Sequence, residues 1–450
     1  MFKSVLRFFL PASAIEVTDS PAILKKKYNK LKWSVFLSAT LGYSLYYVCR
    51  LSLNVIKKPL IQNGLLTESQ LGVIGSALFF SYAFGKLING FLADRTNIKR
   101  FMAAGLLISA LVNLSLGFTT SFVVFVILWG INGWFQSMGP TPAIIAITRW
   151  FSNKERGTYY GFFSASHNLG EAITFIVIAF LVTVAGWQWG FWGAGIIGLL
   201  GVFIIALFMH ESPQSKGLIS TQEAANEKAT ASQTAAPGKS IAKAQMEVLK
   251  NPFIWILALS SAFMYVSRYA INSWGILFLE TKKGYTTLEA SSIISISSVC
   301  GIVGNIISGA ISDRFFKGKR NIPALIFGIL NAISLAVFLF TPKGNFWVDA
   351  VSMAVFGIAI GVLICFLGGL MAVDIASKKA AGTAVGVVGI ASYIGAALQD
   401  IISGNLIQKN KIVVNGISQY DFSQISYLWV GAAMISFLLA LLVWKAKHNE

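Results

Sequence analysis

Apolar runs of roughly twenty residues, separated by short polar or glycine-bearing stretches, recur from residue 32 to near the end of the chain. That length is what an α-helix needs to cross the hydrocarbon core of a bilayer. The pattern predicts twelve such helices, over 32–56, 70–93, 101–119, 121–148, 158–184, 187–209, 252–279, 287–311, 322–341, 346–373, 383–407 and 425–444. One polar interruption is much longer than the others. Residues 211–251, rich in Ala, Ser, Thr, Glu and Lys, read as a linker between six helices and six. The expected organisation is an N-terminal segment 1–31, a first half 32–210, the linker, and a second half 252–446. The fold class is all-α integral membrane.

Composition agrees with that reading. The 450 residues are 55% hydrophobic and 12% charged, too little charge for a soluble chain of this length. The net charge of +18 raises the question of nucleic acid, but its placement gives another answer. With both termini assigned to the cytoplasm, 26 of the 36 Lys and Arg fall on that side and seven on the other, with Lys57, Lys58, Lys282 and Lys283 among the seven. This is the positive-inside bias. The basic surplus is a topology signal first and an attraction to anionic membrane lipid second, and no nucleic-acid partner is implied. Cys49, Cys300 and Cys365 all sit in apolar runs, and His occurs only at 167, 210 and 448. Neither a disulfide framework, a metal site, a cofactor nor a catalytic set is indicated. Trp33, Trp347, Trp429 and Trp444 lie at span ends, where interface anchors are expected.

Three cations remain inside spans: Arg50, Lys86 and Arg268. A charge at the helix centre costs about 2.5–3.5 kcal/mol on insertion scales and marks a functional site by default. Arg50 and Arg268 occupy corresponding places in the two halves, and neither has an acidic residue one helical turn away. Both are therefore expected to be unpaired, facing a ligand with more than one negative charge. Guanidinium forks match phosphate oxygens two at a time and stay charged at any relevant pH. The halves also repeat. GFLADRTNIKR begins at Gly90 and SGAISDRFFKGKR at Ser308, and SNKERGT from Ser152 returns as SKKAAGT from Ser377. Such duplication is what transporter folds use, with the substrate at the interface of the repeats.

The G-x-x-x-D-R elements, Gly90, Asp94 and Arg95 in one half and Gly309, Asp313 and Arg314 in the other, resemble the signature loop of the major facilitator superfamily. That resemblance implies two pseudo-symmetric six-helix halves, with these four charged residues acting as a conformational latch. Within the superfamily the chain is similar to the organophosphate:phosphate antiporters. The likeness rests on GYSLYYVCR from Gly42, GKLINGFLADR from Gly85, GWFQSMG from Gly133, RWFSNKERG from Arg149, SHNLG from Ser166, YVSRYAINSWG from Tyr265 and KKAAGTAVG from Lys378.

The resemblance implies that Arg50 and Arg268 bind phosphate, with His167 and Lys86 near them. Tyr43, Tyr47, Tyr82, Gln136, Tyr265, Tyr269 and Tyr393 lie within or beside the matching segments and join the expected substrate site. Tyr43, Tyr47 and Arg50 share one helix face. Asn272 and Trp274, past Arg268, are placed against the organic part of the substrate. Two departures stand out. Glu171, one turn after His167, replaces a small residue; it can hold His167 protonated, sense protons or bond a neighbouring helix. Val385 and Val388 stand where one hexose-phosphate carrier has an acid and a lysine. Asp400, deeper in the same span, is expected near the outer mouth.

The function implied is exchange of a hexose 6-phosphate for inorganic phosphate by alternating access, in a bacterial inner membrane and as a monomer. Because two bare arginines disfavour a closed empty site, exchange is expected to be obligatory. The alternatives are a glycerol-3-phosphate:phosphate antiporter, a proton-coupled carrier of another organic anion, or a sensor of external glucose 6-phosphate that signals to a membrane kinase.

Overall fold

The computed structural model describes residues 8–17, 21–221, 238–316, 320–376, 380–414 and 417–443. Lys378, Lys379, Trp444 and the side chain of Asp313 lie outside the described residues. Every expected span is a helix. The first is α1 (Pro21–Gln62). It is followed by α2 (Glu68–Arg95), α3 (Ile98–Leu116), α4 (Phe122–Trp150), α5 (Lys154–Ala185) and α6 (Trp187–Phe208). The second six are α7 (Pro252–Lys283), α8 (Thr287–Ser308), α9 (Asn321–Phe340), α10 (Phe346–Ile375), α11 (Ala381–Lys409) and α12 (Ser423–Leu442). The eleven from α2 to α12 are long and apolar enough to cross a membrane. The 42-residue α1 is less apolar, because it opens on LKKKYNK and later carries Arg50, Lys57 and Lys58.

Local sequence sets the helix ends. Thr67 caps α2 and Thr286 caps α8, each in a capping box closed by Gln70 and Glu289 respectively. Asn251 accepts from the backbone N–H of Phe253, and Pro252 starts α7 at a position where its missing N–H costs nothing. Gly186, at φ 90°, makes the tight turn between α5 and α6. Two elements were not anticipated. A helix, Gly238–Lys250, leads the linker into α7. An antiparallel hairpin, β1 (Lys411–Val414) with β2 (Ile417–Tyr420), joins α11 to α12.

Contacts between the halves run through α2 with α11, α5 with α8, and α1 with α7. They are concentrated at the end of the molecule that carries the hairpin. There the first turns of α2 lie against the last turns of α11, and a Cβ on Gly72 would stand 2.4 Å from the Asp400 carbonyl oxygen. Only glycine permits that approach. Towards the opposite end, where the linker lies, Gly157 and Gly161 of α5 and Gly382 and Gly386 of α11 have nothing within 4 Å of where a Cβ would be. Every ion pair between described residues that joins the halves lies at the level of Arg50 and Glu171 or on the hairpin side of them. The molecule is closed at the hairpin end and parted at the linker end.

Candidate functional site

Arg50 projects from the middle of α1, buried to 3% exposure. Its guanidinium lies 4.3 Å from the ring centroid of Tyr82, 5.3 Å from that of Tyr393 and 5.4 Å from that of Tyr47. Nη2 donates to the Tyr269 hydroxyl at 3.3 Å, while Nε has no hydrogen-bond partner. Among the described residues it forms no ion pair. Aromatic faces attract a cation by their quadrupoles, but they leave its N–H groups free to donate elsewhere. These tyrosines come from α1, α2, α7 and α11, so both halves build the ring. Tyr82 and Tyr393 have centroids 4.5 Å apart, and Tyr265 reaches Tyr393 at 5.4 Å.

Arg268, on α7, also lies within reach of Tyr269, 5.3 Å from its centroid. Its surroundings otherwise differ. Nη2 donates to Glu171 Oε1 at 2.6 Å. The same oxygen accepts from Asn272 Nδ2 at 3.1 Å, and Oε2 accepts from Ser298 Oγ at 3.2 Å. Glu171 comes from α5 of the other half. The expectation of two unpaired arginines is therefore corrected: Arg268 is neutralised here and Arg50 is not. The partner of Arg268 lies 97 residues away on a helix of the other half, beyond the reach of spacing within its own helix.

His167 lies one turn before Glu171, and its ring is 5.8 Å from Tyr47, with Nε2 buried and unbonded. Tyr43 stands one turn towards the linker end from Tyr47 and stacks on Phe163. Lys86 does not reach back to the helix end; its Nζ is 5.8 Å from the Tyr393 centroid and forms no ion pair among the described residues. The structure thus brings together Arg50, Arg268, His167, Lys86, Tyr43, Tyr47, Tyr82, Tyr265, Tyr269 and Tyr393.

Three expected substrate contacts are placed differently. Gln136 is buried within the first half, donating to the Tyr46 carbonyl and Ser109 Oγ at 3.0 and 3.2 Å. Asn272 is engaged by Glu171. Trp274 is fully buried on another face of α7, where its Nε1 donates to Asp400 Oδ1 at 2.9 Å. Asp400 is itself buried against Gly75 of α2 rather than open to a mouth. Lys57, counted among the outer lysines, is fully buried with Nζ 3.7 Å from the Trp274 centroid and no hydrogen-bond partner. Trp429, expected as an interface anchor, is also fully buried, donating to Ser403 Oγ.

Lys57, Trp274 and Asp400 belong to the contact that closes the hairpin end. Glu68 of α2 accepts from Lys411 at 2.9 Å and from Tyr420 at 2.6 Å, and Lys58 approaches Glu280 at 3.7 Å. Nearby, Tyr285 donates to Asp349, and burial together with that bond pushes its phenol up to about 12. At the linker end, Asp94 lines a cleft of about 680 Å³ with Arg149 and Arg156. It forms no ion pair among the described residues, and Arg95 and Arg314 are exposed. Of the expected latch, Asp94, Arg95 and Arg314 form no ion pair among the described residues at the end where the halves are apart.

A twelve-helix membrane bundle closing at one end over a buried cationic centre shared by two halves is the architecture of an alternating-access carrier. The solved structure of a bacterial homologue of the human lysosomal transporter Spinster, described as inward-facing and unoccupied, superposes at a TM-score of 0.72. The match covers 92% of this chain and 97% of that one at 18% identity, a likeness of fold. Residues 39–399 match the family model of the Major Facilitator Superfamily, to which this chain belongs. Among its curated relatives are a probable hexose phosphate transport protein of Chlamydia pneumoniae, 33% identical over 99% of this chain and 98% of the relative. A glycerol-3-phosphate transporter of Bacillus subtilis is 34% identical over 90% and 92%. Within the superfamily the chain is a member of the organophosphate:phosphate antiporter branch, a multi-pass transporter and not an enzyme.

Proposed function

We propose that this carrier exchanges a hexose 6-phosphate for inorganic phosphate across a bacterial inner membrane, with both termini in the cytoplasm. The observation that carries this reading is Arg50: a buried guanidinium with a free Nε, ringed by tyrosines from both halves and facing Arg268 across Tyr269. A phosphate group supplies the acceptor that Arg50 lacks and can bridge to Arg268, and His167 Nε2 and Lys86 stand ready to bond its remaining oxygens. Tyr265 and Tyr393, which pack together beside Arg50, are assigned to the organic part. With the termini in the cytoplasm, the structure is open inward, and Asp94, Arg95, Asp313 and Arg314 engage when that end closes. The full-length likeness to the Chlamydia protein favours hexose phosphate, and the Bacillus likeness supports glycerol 3-phosphate as the second reading.

The test is competition in proteoliposomes. Exchange of labelled inorganic phosphate is to be inhibited by glucose 6-phosphate at lower concentration than by glycerol 3-phosphate. The reverse order assigns the glycerol ester instead. A purified chain that binds glucose 6-phosphate yet exchanges nothing is a receptor.

A further inference from the structure

The pairing of Arg268 has a direct consequence for the empty carrier. Glu171 Oε1 sits 2.6 Å from Arg268 Nη2, in the place a phosphate oxygen takes on the reading above. The carboxylate and its three partners are almost wholly buried, Glu171 at 3%, Arg268 at 4%, Asn272 at 3% and Ser298 at 2% exposure. No other carboxylate reaches either arginine among the described residues, and Arg50 keeps an unbonded Nε. A substrate arriving at this centre therefore meets one bare fork and one that is already occupied.

We propose that Glu171 is a tethered counter-anion that stands in for cargo: it holds Arg268 while the site is empty, and an entering phosphate group takes that arginine only by displacing it. This deepens the phosphate reading and rests on it. A bare pair of arginines resists closure of an empty, water-excluding site, because each uncompensated cation is costly there. Glu171 removes one of the two. Its bonds to Arg268, Asn272 and Ser298 also tie α5 of one half to α7 and α8 of the other, the contact the halves rock about. The empty carrier accordingly returns at a measurable rate, and exchange is favoured without being obligatory. The same carboxylate competes with phosphate, so affinity is set below what two free forks give.

The experiment uses the full chain in liposomes loaded with labelled inorganic phosphate. Efflux is timed into medium containing unlabelled phosphate, and separately into medium lacking any permeant anion. Wild type is to show net efflux at a measurable fraction of its exchange rate. In E171Q the ratio of net efflux to exchange is to fall by about tenfold or more, while the phosphate concentration that half-saturates exchange falls several-fold. E171D keeps the charge and is to retain a ratio near wild type. A wild type with no net efflux overturns the proposal without any variant. So does an E171Q ratio equal to wild type, with both rates lowered together, which is the behaviour of a mere structural bridge. Absence of phosphate exchange in wild type fails the phosphate reading itself and is thereby distinguished from failure of the Glu171 role.

Discussion

Arg50 and Arg268 occupy corresponding places in two repeated halves, yet one is held by aromatic faces and the other by a carboxylate. Four tyrosines surround Arg50 or bond it, and its Nε is left without an acceptor. Glu171, Asn272 and Ser298 form a closed polar network at Arg268. The difference teaches that pseudo-symmetry of backbone does not extend to charge. Tyrosine rings stabilise a buried cation without satisfying its donors, so the Arg50 side remains open to an anion. A carboxylate neutralises the charge and takes the Nη2 donor, so on the phosphate reading the Arg268 side must be vacated first. On the phosphate reading proposed above, the asymmetry makes Arg50 the first point of capture and Arg268 the second.

The largest effect expected is at Arg50. Arg50→Ala removes a charge and at least two charge-assisted bonds, each worth about 1.5–3 kcal/mol, and is to lower labelled phosphate exchange by about 100-fold or more. Arg50→Lys keeps the charge but not the fork, and is to lose about tenfold. Equal exchange by the lysine variant and wild type breaks the comparison.

Arg268→Ala is to act on stability as well as transport, because it strands Glu171 as a buried unpaired carboxylate. Breaking a buried pair from one side costs about 3–5 kcal/mol. The double variant R268A/E171Q is to recover much of the lost thermal stability in detergent and none of the exchange. Arg50→Ala strands no carboxylate and is to leave the melting temperature close to wild type. A similar loss of stability in both single arginine variants contradicts the asymmetry.

Tyr269 touches both guanidiniums, so Tyr269→Phe sharpens the comparison. Only the bond to Arg50 is lost, a term of about 0.5–1.5 kcal/mol. Half-saturation for phosphate is to rise about two- to tenfold. The smallest effect is expected at Trp274, which lies outside the ring. Trp274→Phe removes the bond to Asp400 and is to leave phosphate affinity within about twofold, while loosening closure of the hairpin end. Loss of phosphate binding in that variant returns Trp274 to the site.

Most of the fold was legible because hydrophobicity marks a bilayer-crossing helix more plainly than it marks any soluble element. From α2 to α12 the expected boundaries fall within about four residues of those observed. The start of α1 was missed because it projects beyond the apolar run as a charged helix. The hairpin was missed despite a usable signal, the Asn415-Gly416 pair between Val414 and Ile417. In the site, the residues grouped by resemblance at Arg50 do meet in space. Trp274 was misplaced although its spacing spoke against it: six residues at 100° each turn it well away from Arg268, whereas Asn272 at four stays on its face. The Glu171 pairing was not readable from spacing, since it joins different helices of different halves. Burial of Lys57, Asp400 and Trp429 likewise depends on how the halves meet.

Capture of phosphate by the bare guanidinium of Arg50 underlies the exchange proposed above. Isothermal titration of inorganic phosphate into the purified carrier, wild type beside Arg50→Gln, tests this most directly. Saturable binding by wild type and a loss of about 100-fold or more in the variant is the predicted result. Equal affinity in the two proteins contradicts it.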